Sequence, residues 1–170
     1  DHLDRHSVPS RRSSDLPTSI GCTGCEEWLL FSTFRRWMEN QNWEGKQMDK
    51  DIVKIGNKVY CPEYCCLPTH QENSLLCDSG ASRGRYPTGV CFDKQRGKFM
   101  AQCSVDGKQK HLGYFDSCHS AEAYYQNCKR DEIIRVARAS RDPRIKTGLL
   151  AHADFLVNNP NQWGPQNANH

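Results

Sequence analysis

The side chains best suited to chemistry in this sequence are its thiols, which come in close pairs: Cys22-x-x-Cys25, and Cys61-x-x-x-Cys65 followed at once by Cys66. Tetrahedral thiolate zinc sites use such pairs, because two sulfurs a few residues apart can reach one metal from a single bend of chain. Zinc held by Cys22, Cys25, Cys61 and Cys65 would be structural, since four protein sulfurs leave no open coordination position. The distance between the pairs is not a standard zinc-ribbon spacing, however, and Cys66 lies in an apolar context, so buried free thiols are the competing expectation. Ten cysteines in 170 residues also fall short of the density that marks a disulfide-stapled secreted scaffold.

A second group of polar side chains recurs with a period of two. Over Lys98 to Val105, alternation sends Phe99, Ala101, Cys103 and Val105 to one face and Lys98, Met100, Gln102 and Ser104 to the other. Gln109 and His111 extend that polar face, and Lys94, Arg96 and Lys108 stand in the adjoining turns. Such a face can lie in the major groove, with Gln and His meeting base edges while Lys and Arg meet phosphates. An ordinary solvated sheet face is the alternative.

The elements that must position these groups follow from local signals. Trp28, Leu29, Phe31, Phe34, Trp37 and Met38 recur at helical intervals between Glu26 and Asn40, with Arg35, Arg36 and Glu39 opposite, which predicts an amphipathic helix whose apolar face is core. Gly56-Asn57 marks a turn before a short strand or hairpin at Val59-Tyr60. Thr69 followed by Glu72 is a capping-box pattern for a short helix reaching Cys77. Val90 to Phe92, Lys98 to Val105 and Lys108 to Tyr114 are three strands, the last two joined by Asp106-Gly107, a tight hairpin dipeptide. Asp116 or Ser117 can cap a helix carrying Ala121, Tyr124, Tyr125, Cys128, Ile133, Ile134, Val136 and Ala137 until Asp142-Pro143 stops it. A short amphipathic piece is expected to persist from there to Val157.

Residues 88–127 resemble the apetala/ethylene-response-factor DNA-binding domain and its integrase-type relatives in phage and mobile elements. The shared frame is Gly89-Val90, Gly97-Lys98-Phe99, Ala101, Leu112-Gly113-Tyr114-Phe115-Asp116 and Ala121-Glu122-Ala123-Tyr124. The resemblance implies groove contact from Thr88, Cys91, Gln102, Ser104, Gln109 and His111. Several of these positions are arginine or tryptophan in the plant pattern, so the plant recognition sequence does not carry over. Lys94, Arg96, Lys98, Lys108 and Lys110 are the phosphate candidates, adding affinity and salt dependence without selecting sequence.

Residues 48–76 resemble the metal finger of HNH-type nucleases, through Asp49-Lys50-Asp51, Gly56-Asn57-Lys58, Pro62-Glu63 and Glu72-Asn73. That resemblance implies a divalent metal, Mg²⁺, held with help from Asp49, Asp51 and Asn73. Lys50 stands where the family has the histidine that activates water, and a protonated lysine is a poor base unless strongly desolvated. His70 could substitute only if the fold brings it across. A non-cutting remnant is therefore expected.

Charge divides the chain in the same place: residues 17–82 carry a net −3 and residues 83–150 a net +7, the footprint of a polyanion binder. No apolar run is long enough to span a bilayer, so a cytoplasmic protein is expected. The overall expectation is an α+β chain. Residues 1–16, which resemble translated adapter sequence from residue 6 onward, are disordered or artefactual. A helical and hairpin, ββα-like module then covers 17–80, a linker 81–87, a three-stranded antiparallel sheet packed on one helix 88–140, and a largely disordered extension 141–170. The function expected is binding of double-stranded DNA, with an HNH homing-type endonuclease and a protein-interaction module as alternatives.

Overall fold

The computed structural model describes residues 21–76 and 85–159; the stretches 1–16 and 160–170, the residues before Arg85 in the expected linker and Cys77 lie outside them. The fold is α+β, as the alternating and helical patterns require. Three strands, β3 (Val90–Asp93), β4 (Lys98–Val105) and β5 (Lys108–Phe115), form an antiparallel sheet in the order β3-β4-β5. Asp106 and Gly107 both take positive φ, 50° and 71°, the geometry that lets a two-residue turn follow the strand twist.

Helix α3 (Cys118–Ala139) is capped by Ser117, whose hydroxyl accepts from the Ser120 N–H, so Ser117 rather than Asp116 starts it. Its first half covers the sheet: Ala121 packs against Val90 and Ala101, with Tyr86, Phe99, Leu112 and Phe115 around them. Tyr125 sits so close to Gly89 (φ 74°) that a Cβ there would lie 2.2 Å from its ring. Glycine is required at that position both for the turn and for the approach of the helix.

The second half of α3 belongs to a different core. Asp142 accepts from the Arg144 N–H and, with Pro143 in the first turn, starts α4 (Pro143–Asn158). The expected short amphipathic piece is thus a 16-residue helix, and it is central. Ile133, Val136 and Ala137 of α3 and Ile145, Leu149, Ala153 and Leu156 of α4 are buried together with Ile52, Cys66 and Leu75 from the first half of the chain. Burying each of these Ile and Leu side chains contributes about 1.5–3 kcal/mol, so one core joins both halves.

The first half is built from short pieces. The short strand expected at Val59-Tyr60 forms as β2 (Val59–Tyr60), but its partner is β1 (Thr23–Gly24), in parallel, so it is a strand and not half of a hairpin. The turn itself forms, with the Asn57 N–H donating to Lys54 and Gly56 at φ 73°. Asp49 and Cys66 exchange backbone hydrogen bonds, and the Gln47 N–H donates to Pro68. α2 (His70–Ser74) then follows with the full Thr69/Glu72 capping box.

The apolar helix at Glu26 to Asn40 departs from expectation. It is a 3-10 turn (Glu26–Leu29) followed by α1 (Phe31–Glu39), and none of its residues is buried. Trp28, Phe34 and Trp37 pack on one another, with ring centroids 5.1 Å apart for Trp28–Phe34 and 4.8 Å for Trp28–Trp37. Leu29, Leu30 and Phe31 are 76%, 66% and 72% exposed. The stripe is real, but it covers itself instead of a core. Among the described residues no helix is long and apolar enough to cross a membrane.

Candidate nucleic-acid interface

The sheet face turned away from α3 is set by register, because residues directly paired across antiparallel strands share a face. Cys91 pairs with Met100, Met100 with Tyr114, Gln102 with His111, and Ser104 with Gln109. The neighbouring Ala101 and Cys103 are buried, at 0% and 2% exposure, so they point into the core and the first set points out. Gln102, Ser104, Gln109 and His111 therefore form the polar row expected from the alternation.

One irregularity re-aims the end of β5. Ala101 pairs with Gly113 but Gln102 with His111, so β5 takes two steps where β4 takes one. This bulge sends Phe115 into the core and turns Tyr114 outward, beside His111 at a ring separation of 4.8 Å. Strict alternation would have done the reverse, which is why Tyr114 was missed. The bulge's sign in the sequence is Gly113, which adopts φ 135°.

The basic side chains divide. Arg96 is anchored: its Nη1 donates to Asp93 Oδ2 at 2.9 Å, and its guanidinium carbon lies 4.8 Å from the centre of the Tyr114 ring. Asp93 Oδ1 in turn accepts from the N–H groups of Gln95 and Arg96. These hydrogen bonds, first from the Arg96 backbone and then from its side chain, hold the Asp93 carboxyl below the usual aspartate range, and the same carboxylate raises the Arg96 guanidinium. Lys98 pairs with Asp116 at 3.0 Å, both well exposed. Lys94 lies exposed in the β3–β4 turn.

Lys108 pairs with Val105 and Lys110 with Cys103, which puts both on the α3 side of the sheet. Lys110 lines a cleft there with Tyr124, Asp131, Glu132 and Arg135. Thr88 also leaves the interface, because its hydroxyl is buried without a hydrogen-bond partner. Cys91 stays on the outward face, half-buried.

Behind the hairpin tip, Glu132 of α3 is nearly inaccessible, its side chain 4% exposed. It accepts from the Asp106 N–H at 3.0 Å and from Arg135 through both oxygens, at 2.7 and 2.8 Å. Hydrogen bonds from Arg135 lower its carboxyl, outweighing burial.

Asp49, Lys50 and Asn73, singled out in the sequence as nuclease candidates, each make contacts within the fold. Asp49 Oδ1 accepts from the N–H groups of Asp51 (2.9 Å) and Ile52 (2.7 Å), closing a turn. Burial first, and the Asp51 charge second, push its carboxyl up to about 6. Lys50 is buried, contrary to the polar setting read from the sequence, with Nζ 3.3 Å from Asp51 and 5.7 Å from the centre of the Tyr60 ring. Burial pulls its ammonium down, but the Asp51 carboxylate and neighbouring groups offset this and leave it raised. Lys50 is therefore protonated at neutral pH and is no base. Asn73 donates to the Gln47 side chain at 2.9 Å, and His70 is exposed at the start of α2.

The parallel pairing of β1 with β2 brings the cysteine pairs toward each other. The Cys25 N–H donates to the Tyr60 carbonyl next to Cys61, and the Cys65 N–H donates to Cys61. Burial raises the Cys65 thiol to about 11, so it is a neutral thiol at neutral pH. Among the described residues no group of three or more His, Cys, Asp or Glu could hold a metal ion.

No family model, curated protein or solved structure matches the chain.

Proposed function

We propose that this chain binds double-stranded DNA, as a protein of phage or mobile-element type, with the outward face of β3-β4-β5 in the major groove. The observation that carries the reading is the row of Gln102, Ser104, Gln109 and His111, set side by side by strand register on a face that α3 leaves uncovered. Each offers hydrogen-bond donors and acceptors of the kind that base edges take, and Lys94 and Lys98 stand at the edge of the row for phosphate contact. A two-stranded ribbon such as β4–β5, which carries all four residues of the row, fits the width of a B-form major groove.

Asp49 holds a turn closed and Lys50 is a protonated ion-pair partner, which speaks for a scaffold role of the nuclease-like module over DNA cleavage. The test is binding of the full chain to labelled random duplex DNA across a salt series, with Mg²⁺ or Mn²⁺ in parallel and the products run on a denaturing gel. Salt-sensitive binding without strand breaks is expected. Cleavage lost in Asp49→Ala and Asn73→Ala would replace this reading with the endonuclease, and no binding at low salt would end it.

A further inference from the structure

We infer that Arg96 is the specificity-determining residue of this interface and that its guanidinium takes the edge of a guanine. The inference rests on the DNA-binding reading and goes beyond it, because the basic residues of the β3–β4 turn are otherwise interchangeable phosphate contacts.

Three features separate Arg96 from its neighbours. Its Nη1 is fixed to Asp93 Oδ2 at 2.9 Å, and Asp93 is itself fixed by the Gln95 and Arg96 N–H groups at 2.9 and 3.1 Å. Its guanidinium carbon lies 4.8 Å from the centre of the Tyr114 ring, and Tyr114 is backed by His111 at 4.8 Å. Tyr114 belongs to the outward face, through its pairing with Met100. The chain thus holds one guanidinium between Asp93 and Tyr114, on the side of the sheet that carries the polar row, before any ligand arrives.

A phosphate contact gains nothing from this arrangement. Phosphates are met by charge, and the adjacent Asp93 carboxylate cancels much of the charge that Arg96 would bring. Base reading gains a great deal, because a free arginine loses substantial rotamer freedom when it is fixed, and here that loss has already been incurred. The Asp93 contact uses Nη1, which leaves the parallel N–H donors of the Nε and Nη2 edge. Two parallel donors on one guanidinium match O6 and N7 of guanine, the commonest specific contact in the major groove. Lys98 meets Asp116 through a point-charge ammonium with no aromatic ring beside it, and Lys94 stands exposed in the turn; neither presents a planar fork, and both suit phosphates.

The experiment is selection of preferred sites from random duplex DNA by the full chain, followed by affinities across a salt series. The proteins compared are the wild type, Arg96→Lys, Arg96→Ala, Asp93→Asn and Lys98→Ala, each checked for an unchanged melting curve. The wild type is expected to enrich a guanine at one position. Arg96→Lys, which keeps the charge but loses the fork, should lose that enrichment, with affinity for the selected site falling roughly 10- to 100-fold and the salt slope unchanged. Asp93→Asn should relax the same position. Lys98→Ala should weaken all sequences alike and reduce the salt slope by about 1.

Retained guanine selection in Arg96→Lys, or a wild type that binds without enriching any base, would overturn the inference and leave the DNA-binding reading standing. A wild type that binds no DNA at low salt would remove both.

Discussion

Gly148 of α4 lies directly against Ile52, so that a Cβ built on it would stand 2.3 Å from the Ile52 carbonyl oxygen and 3.2 Å from the Ile52 side chain. The contact joins residues 96 positions apart and is made of backbone, which cannot swing aside. Gly148→Ala should therefore cost about 1–3 kcal/mol by overpacking, despite alanine's better helix propensity. Thr147→Ala, one residue away and exposed, should stay within about 0.5 kcal/mol. Urea denaturation of the two variants makes the comparison, and an unchanged midpoint for Gly148→Ala would contradict the packing.

The exposed stretch Leu29, Leu30 and Phe31 gives the opposite expectation. Leu29→Ser and Phe31→Ser should each change stability by less than about 0.5 kcal/mol. Leu149→Ala, at a fully buried position, should cost about 2–5 kcal/mol. A large loss in the first two would mean that the apolar stripe of α1 is covered after all.

Glu132 ties α3 to the hairpin tip, and replacing it tests that link. Glu132→Ala should cost about 1.5–3 kcal/mol, since it removes hydrogen bonds to a charged acceptor in a buried place. The sign of the pH effect follows from its lowered carboxyl. The stability it supplies is complete above the ordinary glutamate value of 4.5 and is lost as pH falls through the folded value. Acid titration of the melting temperature should show a smaller drop below pH about 4.5 in the variant than in the wild type.

Asp49 and His152 act against each other between about pH 4 and 6.5. Asp49 has its carboxyl raised from 3.8 to about 6, so the folded chain binds the extra proton and stability falls as pH rises through that window. His152 is buried, with Nε2 3.0 Å from the Asp51 carbonyl, and burial lowers its pKa below 6.5. Stability from this group falls in the other direction, as pH drops below the unfolded value. Asp49→Asn keeps an oxygen for the Asp51 and Ile52 N–H groups and removes the first effect. Its stability should rise at pH 7 by on the order of 2 kcal/mol and should then decline on acidification from pH 6.5, where the wild type stays flatter. A parallel pH profile for the two proteins would refute the assignment.

Local order was legible in the sequence. The hairpin at Asp106-Gly107, the Thr69/Glu72 capping box, the Ser117 cap and the stop before Asp142-Pro143 each depend on a few adjacent residues, and each forms. The polar row was legible for the same reason, since alternation over β4 needs no partner to be read. What escaped was set by distance. Nothing near Thr23 announces a parallel neighbour at Val59, nothing near Lys50 announces its burial, and the periodicity of α1 cannot say whether a core waits on its apolar side. Lys110 is a case of local information left unused, because it lies between Gln109 and His111 and alternation alone turns it toward α3. Tyr114 needed the bulge at Leu112-Gly113, and only the Asp93-x-x-Arg96 spacing hinted at the ion pair beside it.

The common core of Ile52, Ile133, Leu149 and Leu156 also bears on how such a chain can change by recombination. A crossover between Leu76 and Arg85 would look harmless on the sequence, since it separates the acidic part from the basic part. It would leave α3 and α4 facing a foreign surface where Ile52, Cys66 and Leu75 had been. The sheet would be inherited with the first half of α3 still covering it, but on a helix pair stripped of its partners, so the two halves can be exchanged only as a matched pair.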